Sequence, residues 1–304
     1  MKHSPISLLE RAAELYDFGA ALRAPAPVPV QAEPVAESPA PAAAIEPVRA
    51  VPPTSRRQGR LAPIDRERLA EGGYIVPGAP ATGLAEEFRL VKRQLLAGIE
   101  RRVSQPDDKR RSVLIASPQT GDGKSFCAVN LALSLAGERD LEVLLVDSDF
   151  IQPELLTVLG IDDSGPGLVD ALADALADPE AFVIRTDVEG LSVLPAGARV
   201  NNVPELLASE RTREVLARLI AGNKRRIILF DSPPALMASP ATVLSAHVGQ
   251  ALVVVRADRT TEVDLRETIG LLSGCDHVAL ILNGAGIAVT GRRFGAYDGY
   301  GDDD

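Results

Sequence analysis

The chain has 304 residues and a formal net charge of −10 at pH 7, with 46% hydrophobic residues, 4% aromatic residues and no tryptophan. A chain of this length holds one or two domains, and its composition suits an α/β core of alanine, leucine, valine and isoleucine. The acidic balance excludes an extended basic surface, so we expect no nucleic-acid partner.

Two features of the sequence concern the cellular compartment. Cys127 and Cys275 have neither metal-ligand spacing nor the pattern of a disulfide framework, which is typical of a reducing compartment. The sequence also lacks a run of 18 apolar residues and a basic-then-apolar secretion signal. We therefore expect a cytoplasmic protein that reaches a membrane only peripherally, through a membrane partner.

The first 82 residues precede the predicted folded domain. Residues 1–22 have apolar positions at helical spacing and predict a short amphipathic helix, which is too short to be stable alone. Residues 23–82 are first rich in proline and alanine and then form a transitional loop, so we expect a disordered linker. The remaining chain divides into a folded domain, residues 83–290, and a flexible tail, residues 291–304.

The folded domain opens with an amphipathic helix. Its apolar stripe, which we expect to pack on a sheet, consists of Leu84, Phe88, Val91, Leu95 and Ile99. Its more polar faces carry Glu86, Arg89, Lys92 and Arg93. These charges are either solvated or pair with another copy of the protein.

The stretch from Ser112 to Asp149 carries the strongest functional signal. It reads as an apolar strand, a turn that ends in Gly123-Lys124-Ser125, a helix and a second apolar strand. Such a loop presents backbone N–H groups to phosphate oxygens, and its lysine reaches the outer phosphates. Pro118 replaces the first glycine of the strict motif G-x-x-x-x-G-K-[ST], but the strand–loop–helix context is retained. The residues predicted to bind a nucleoside triphosphate are Thr120, Gly121, Asp122, Gly123, Lys124, Ser125 and Phe126.

Acidic residues follow two of the apolar strands. Asp147 and Asp149 end the second strand of this stretch, and Asp231 ends a later strand. Because the carboxyl ends of parallel strands meet at one edge of a sheet, we expect these carboxylates near the phosphates. Ser125, Asp147 and Asp231 are the predicted Mg²⁺ ligands, and Lys124, Asp147 and Asp149 are the predicted catalytic residues. Asp149 is alternatively the N-cap of a helix that follows it.

The rest of the domain alternates strands and helices. Predicted strands cover residues 191–195, 226–231, 251–256 and 278–283, and predicted helices cover residues 204–220 and 262–272. Continuous apolar strands between helices predict an α/β fold of the P-loop NTPase type, with a mainly parallel sheet covered by helices on both faces. Asn283 ends the last strand and should lie at the same edge as the carboxylates.

Three of these motifs, in this order, resemble those of the bacterial tyrosine kinases of polysaccharide synthesis. They are the segments Ala116–Ser125, Leu144–Asp149 and Phe230–Pro234, and the similarity covers about residues 84–286. Two further segments, Ser7–Ala12 and Leu84–Arg93, are similar to the exopolysaccharide tyrosine autokinases associated with exosortase loci.

The resemblance implies a protein tyrosine autokinase that uses ATP and Mg²⁺ and regulates exopolysaccharide polymerisation and export. Its phosphoacceptors would be Tyr297 and Tyr300, phosphorylated mostly between neighbours in a homo-oligomeric ring. Implied partners are a polysaccharide co-polymerase in the inner membrane, as activator, and a tyrosine phosphatase. Asn283 matches a position that hydrogen-bonds adenine in related nucleotide-binding proteins.

The resemblance also assigns a role to the first helix of the folded domain. Glu86, Arg89 and Lys92 fall on the self-association motif E-x-x-R-x-x-R of the family, with lysine in place of the last arginine. Arg93 is the candidate substitute for that arginine.

The tail tyrosines support this role on physical grounds. Tyr297 and Tyr300 are two of the four tyrosines of the chain and lie in a segment of glycine and aspartate that cannot fold on its own. Such a tail can reach a neighbour's active site or its own. The alternative is an acidic, solubilising tail.

Departures from the family pattern keep two other functions open. Ile151 stands at the position where the second acidic motif usually has arginine, Pro118 replaces the first glycine of the loop motif, and the tail has few tyrosines. One alternative is therefore a catalytically weak nucleotide-binding scaffold of the export system. The other is an ATPase of the ParA and MinD kind, although those proteins carry a second lysine where this chain has Gln119.

Overall fold

The computed structural model describes residues 60–162, 165–223 and 225–285. The predicted helix of residues 1–22, most of the predicted linker and the tail that carries Tyr297 and Tyr300 lie outside these ranges. Within them, no helix is both long enough and apolar enough to cross a membrane.

The described residues form one sheet of eight strands. The strands are β1 (Leu61–Ala62), β2 (Ser112–Ala116), β3 (Glu142–Asp147), β4 (Ile184–Thr186), β5 (Leu191–Leu194), β6 (Arg226–Asp231), β7 (Gln250–Arg256) and β8 (Val278–Asn283). Their order across the sheet is β1-β4-β5-β3-β6-β2-β7-β8. β4 and β5 are antiparallel, and the other neighbouring strands of this described sheet are parallel. The predicted fold class, a mainly parallel α/β sheet, is confirmed.

Helices cover both faces of the sheet. They are α1 (Arg66–Glu71), α2 (Gly83–Arg101), α3 (Asp107–Arg110), α4 (Lys124–Ala136), α5 (Leu155–Leu159), α6 (Leu168–Ala173), α7 (Val203–Leu207), α8 (Glu210–Ala221), α9 (Pro240–Ser245) and α10 (Glu262–Leu271). A short 3₁₀ helix spans Pro179–Phe182. Buried residues of α1, α2, α4 and α5 form one core, and those of α6, α7, α8 and α9 form the other.

The central strands divide their side chains between these two cores. In β2, Val113 and Ile115 join the core on the α4 side, whereas Leu114 and Ala116 join the core on the α8 side. All four side chains are 0% exposed. Successive residues of a strand face opposite sides of the sheet, so a strand buried on both sides reads as an uninterrupted apolar run.

Helix α4 lies between the sheet and α2. Leu131 and Leu135 in α4 are fully buried, and Phe88 and Leu95 of α2 belong to the same core. The apolar stripe of α2 packs mainly on α4, whereas the sequence predicted packing on the sheet. The stripe itself is as predicted, but its partner is the helix that follows the glycine-rich loop.

The folded domain begins before the predicted boundary at residue 83. β1 pairs with β4, and α1 follows it with Leu69 fully buried. The backbone N–H of Asp65 donates to the carbonyl of Leu159 at 3.0 Å, which ties this segment to α5. The predicted transitional loop is therefore part of the fold, because Ile64 and Leu69 supply apolar anchors that two very short elements can bury.

The predicted helix over residues 204–220 is two helices. α7 ends at Leu207, and α8 begins at Glu210. Ser209 between them has extended backbone angles, and its hydroxyl donates to the carbonyl of Leu206 at 2.6 Å. Serine favours such a boundary because its side chain competes for backbone hydrogen bonds.

Lys92 is buried, although the sequence placed it among the polar faces of α2. Its Nζ donates to the carbonyl of Ser134 at 3.0 Å and lies 2.6 Å from Oε1 of Glu138. Ser134 is in the last turn of α4, where carbonyls lack partners within the helix and a positive charge is favourable. Lys92 therefore attaches α2 to the end of α4 and does not lie on an exposed self-association surface.

Replacing Lys92 should destabilise the domain. Lys92→Ala is expected to lower the free energy of unfolding by about 1–3 kcal/mol, since hydrogen bonds from charged groups contribute about that much. Arg93→Ala, at the exposed neighbouring position, should change it by less than about 0.5 kcal/mol. Urea unfolding followed by circular dichroism measures both values, and equal effects of the two substitutions would contradict the buried role of Lys92.

Candidate nucleotide-binding site

The loop between β2 and α4 forms the floor of the site. Gly121 and Gly123 have positive φ angles of 83° and 96°, a backbone conformation that favours glycine. A Cβ atom at Gly123 would collide with Nδ2 of Asn283. Both glycines of the predicted motif are therefore required by the shape of the loop, independently of any ligand.

Hydrogen bonds within the loop hold this shape. Oδ2 of Asp122 accepts from the backbone N–H of Gln119 at 2.8 Å, and the Ser117 hydroxyl donates to the carbonyl of Gln119 at 2.9 Å. Asp122 is 1% exposed. Oδ2 of Asp122, which was predicted to bind nucleotide, thus braces the loop, whereas Oδ1 is buried and has no hydrogen-bond partner among the described residues.

The start of α4 offers free backbone donors. Gly123 is the N-cap, and no side chain in the described part of the chain caps this helix. The N–H groups at the start of a helix, together with its dipole, favour a bound anion such as phosphate.

Two predicted site residues direct their side chains to other partners. The ring of Phe126 packs against Tyr74 with ring centroids 4.9 Å apart, so Phe126 offers a nucleotide its backbone N–H. The Thr120 hydroxyl donates to Sδ of Met237 at 3.2 Å.

Lys124 and Asp149 form an ion pair inside the site. Nζ of Lys124 lies 2.8 Å from Oδ2 of Asp149, and the two side chains are 13% and 6% exposed. Burial lowers the pKa of Lys124, but the charges of Asp231, Asp149 and Glu154 outweigh it and raise the pKa overall. Lys124 is therefore held as a cation. Asp149 also accepts from the backbone N–H of Gln152 at 3.1 Å. The next helix, α5, has Glu154 as its N-cap, so the alternative interpretation of Asp149 as a helix N-cap is wrong.

Asp147 and Asp231 lie side by side at the ends of β3 and β6, where they are register partners. Ser148 fixes this edge, because both its N–H and its hydroxyl donate to the carbonyl of Asp231, at 2.9 and 2.8 Å. Burial, reinforced by the charge of Asp231, raises the pKa of Asp147 to about 8. Burial also raises the pKa of Asp231 to about 6, against the opposing effects of Lys124 and a hydrogen bond with Ser125.

The donor set fits a magnesium ion that also binds phosphate. Oδ1 of Asp231 is buried and has no hydrogen-bond partner among the residues described, so it is a free acceptor inside the site. No three carboxylate, imidazole or thiol groups in the described ranges are arranged to hold a metal by themselves. Mg²⁺ commonly takes one or two carboxylates and completes its shell with substrate phosphates and water. Ser125 and Asp231, which contact each other, would hold it together with Asp147.

Asn283 reaches the site from the end of β8. Its Nδ2 donates to the carbonyl of Asp122 at 2.9 Å. The structure therefore brings Asn283 to the loop as predicted, and the contact it shows is with the loop itself.

Two further residues contact the loop and were missed from the sequence. The guanidinium of Arg259 packs over Gly121, with Nη1 2.8 Å from the position that a Cβ would occupy. Oδ2 of Asp264 accepts from Nε2 of Gln119 at 3.1 Å. Both follow the carboxyl end of β7, so the rule that selected Asn283 at the end of β8 could also have selected them.

The predicted self-association residues lie away from this site, on α2. Arg89 pairs with Glu86 one turn earlier in the helix, and both side chains are more than 40% exposed. Arg93 is exposed as well, whereas Lys92 is buried against α4.

A glycine-rich loop at the carboxyl edge of a parallel sheet, with a lysine, a serine and strand-end carboxylates, defines a P-loop nucleotide-binding domain. Three comparisons narrow this class. The AAA domain family matches residues 110–261. A putative tyrosine-protein kinase, EpsB of Ralstonia nicotianae strain ATCC BAA-1114 / GMI1000, is 34% identical over 194 residues, which is 63% of this chain and 24% of EpsB. The tyrosine-protein kinase YwqD of Bacillus subtilis strain 168 is 26% identical over 238 residues, 78% of this chain and 93% of YwqD.

A solved structure agrees with these relatives. The crystal structure of the VpsO kinase domain is 30% identical and superposes with a TM-score of 0.51, covering 64% of this chain and 98% of that domain. The chain belongs to the AAA domain family and, within it, to the bacterial tyrosine-protein kinases. It spans about a quarter of the length of EpsB and nearly all of YwqD.

The raised pKa of Asp147 predicts how stability depends on pH. Asp147 titrates near 3.8 when unfolded and, owing to burial and the charge of Asp231, near 8 when folded, so the folded protein binds more protons in between. The free energy of unfolding should therefore fall as the pH rises from about 4 to about 8. In Asp147→Asn the free energy of unfolding should no longer fall for this reason. At pH 8 it should exceed that of the wild type by at least about 1 kcal/mol.

Urea unfolding at pH 5 and pH 8, in EDTA and without nucleotide, measures this difference. Asp276→Asn, at an exposed position before β8 and thus at the opposite edge of the sheet, is the matched control and should keep the wild-type pH dependence. Parallel pH profiles for Asp147→Asn and the wild type would contradict the prediction.

Proposed function

We propose that this chain is an ATP-dependent protein tyrosine kinase that phosphorylates Tyr297 and Tyr300 in the tail of a neighbouring copy. Membership of the bacterial tyrosine-protein kinases supports the class of reaction. The observation that carries the proposal is the buried Lys124–Asp149 ion pair beside Asp147 and Asp231, at the mouth of a loop shaped for phosphate. The activity would regulate exopolysaccharide polymerisation and export.

Each group of residues in the site would have a separate role in phosphoryl transfer. Backbone N–H groups of residues 121–126 and the Lys124 ammonium would bind the phosphates of ATP. Ser125, Asp147 and Asp231 would hold Mg²⁺, which, when bound, neutralises negative charge on the phosphates. Asn283 would lie near the adenine, as the resemblance implies.

Asp149 gains a catalytic role when nucleotide replaces it as the partner of Lys124. The carboxylate then loses its ion-pair partner, the ammonium 2.8 Å away, and is free to contact a tyrosine hydroxyl. It would take the proton from the tyrosine hydroxyl as the phenol oxygen bonds to the γ-phosphorus and the bond to ADP breaks. Asp147 is the less effective base, because its carboxylate oxygens would already hold Mg²⁺.

The proposed partners follow from the same family membership. A second copy of the chain would contact the exposed charges of α2, namely Glu86, Arg89 and Arg93. A polysaccharide co-polymerase in the inner membrane would act as the activator and hold the chain peripherally at that membrane. A tyrosine phosphatase would reverse the modification, and the similarity to exosortase-associated autokinases remains a prediction.

The contact made by Gln119 disfavours an ATPase of the ParA and MinD kind. Those proteins need a lysine at this position to reach a partner's phosphates, whereas Gln119 is uncharged and donates to Asp264. The described residues provide no replacement lysine at that point of the loop.

Phosphate transfer from radiolabelled MgATP tests the proposed function. Wild-type protein should acquire label on tyrosine, and Lys124→Met should lower the rate by at least about 100-fold, because the lysine contacts the transferred phosphate. Tyr297→Phe combined with Tyr300→Phe should abolish the label, and the matched control Tyr74→Phe should keep it. Phosphopeptide mass spectrometry identifies the acceptor residues.

Three results of that experiment would contradict the proposal. Release of free phosphate without labelled tyrosine would support the ATPase, and neither product would support a nucleotide-binding scaffold. Equal labelling of the tail double variant and the wild type would show that the tail is not the acceptor.

Self-association through α2 gives a separate prediction. Arg89→Glu places a like charge beside Glu86 on the exposed face and should dissociate the oligomer. Arg101→Glu, exposed about 18 Å further along the same helix, is the control and should leave the oligomer intact. Light scattering coupled to size-exclusion chromatography measures the mass, and a monomeric wild type or an unaffected Arg89→Glu oligomer would contradict the proposed surface.

A further inference from the structure

The turn after β7 places a guanidinium on the P-loop. Arg259 is exposed, and its Nη1 lies 2.8 Å from where a Cβ of Gly121 would be. Within the described ranges Arg259 forms no ion pair, whereas Arg256 and Arg266 pair with Asp258 and Glu262. The guanidinium that packs on Gly121 is thus not in direct contact with a carboxylate of the described residues.

Hydrogen bonds fix the backbone that carries Arg259. The N–H of Arg256 donates to Oγ1 of Thr260 at 2.9 Å, and the N–H of Thr260 donates back to the carbonyl of Arg256 at 2.9 Å. The N–H of Ala257 donates to the carbonyl of Asn283 at 2.9 Å, so the turn is also attached to the end of β8. The turn is therefore closed and anchored, so the backbone position from which the Arg259 side chain extends is fixed.

Two more contacts hold this part of the molecule against the loop. Gln119 reaches Asp264 at the start of α10, and Asn283 reaches the carbonyl of Asp122. Gly121 lies between Gln119 and Asp122 in the chain, so these contacts bracket the point that Arg259 covers.

The site carries more negative than positive charge, so a second cation would favour nucleotide binding. Lys124 faces Asp147, Asp149 and Asp231, and the binding of a nucleotide triphosphate would add further negative charge. Ile151, which follows the acidic residues, is 61% exposed and has no charge to offer. A guanidinium binds phosphate oxygens with two parallel N–H groups and keeps its charge at every relevant pH.

We propose that Arg259 is a second phosphate-binding cation of this site, which contacts the terminal phosphate of ATP and stabilises the charge that its non-bridging oxygens gain during transfer. This role rests on the proposed kinase function. In the step itself, the tyrosine oxygen bonds to the γ-phosphorus, the bond from phosphorus to the β–γ bridging oxygen breaks, and ADP leaves with the electron pair. The phenol proton passes to Asp149, and Arg259 is unchanged.

Nucleotide affinity tests this role without relying on activity. Arg259→Ala should weaken binding of the non-hydrolysable analogue AMPPNP with Mg²⁺ by about tenfold or more, and binding of ADP by less than about threefold, because ADP lacks the terminal phosphate. Arg266→Ala removes the same charge from an exposed position in α10 and should leave both affinities unchanged. Fluorescence titration with labelled nucleotides measures the dissociation constants.

The rate of transfer gives a second readout. Arg259→Ala should lower kcat by about 100-fold, whereas Arg259→Lys should recover AMPPNP affinity better than kcat, since lysine keeps the charge but not the paired donors. Millimolar guanidinium should partly restore the rate of Arg259→Ala and leave Arg266→Ala unaffected. Melting curves confirm that each variant is folded.

The outcomes separate this inference from the proposed function. Arg259→Ala could weaken the binding of AMPPNP and ADP equally, or leave kcat within about twofold of the wild type. Either result would show that Arg259 only braces the loop and would overturn the inference. A wild type that labels no tyrosine would overturn the proposed function, while the difference between AMPPNP and ADP affinities would still decide the role of Arg259.

Discussion

The site depends on the ion pair between Lys124 and Asp149. Both side chains are nearly buried, and Asp147 and Asp231 lie close by, so carboxylates outnumber the lysine. Burial and mutual repulsion raise the pKa of Asp147 to about 8, and burial above all raises that of Asp231 to about 6. A protein that folded only for stability would gain by replacing such groups with apolar ones. A magnesium–nucleotide complex would account for this arrangement. Phosphate would replace Asp149 as the partner of the Lys124 ammonium, and Mg²⁺ would neutralise the remaining carboxylates.

The fold brings these groups together from distant parts of the chain. The register of β3 and β6 sets Asp147 beside Asp231, although 84 positions separate them in the sequence. The ends of β7 and β8 then contact the P-loop through Asp264, Asn283 and Arg259. On the far side, Lys92 ties α2 to the last turn of α4. The P-loop helix is thus held at its start by the nucleotide site and at its end by the helix that carries the proposed self-association surface.

Much of the fold could be predicted because its central strands are uninterrupted apolar runs. The same strands locate the predicted site residues. The P-loop follows one of these strands, and three others end in Asp147, Asp231 and Asn283. Short elements such as β1 and α1 were missed because two to six residues show no periodicity. The burial of Lys92 could not be predicted either, because its partners, Ser134 and Glu138, lie on another helix. Arg259 belongs to no motif. Its position after the carboxyl end of β7 is a general signal, and the packing of the β7–α10 turn on Gly121 shows which residue of that turn contacts the loop.

A crystal structure of the protein with saturating AMPPNP and Mg²⁺ decides whether nucleotide replaces the Lys124–Asp149 ion pair. We expect phosphate density along residues 121–125 and Nζ of Lys124 moved from Asp149 to a phosphate oxygen, with Asp149 left open to the tail of a neighbour. An empty loop at saturating nucleotide, or a Lys124 that stays paired with Asp149 while nucleotide is bound, would contradict this expectation.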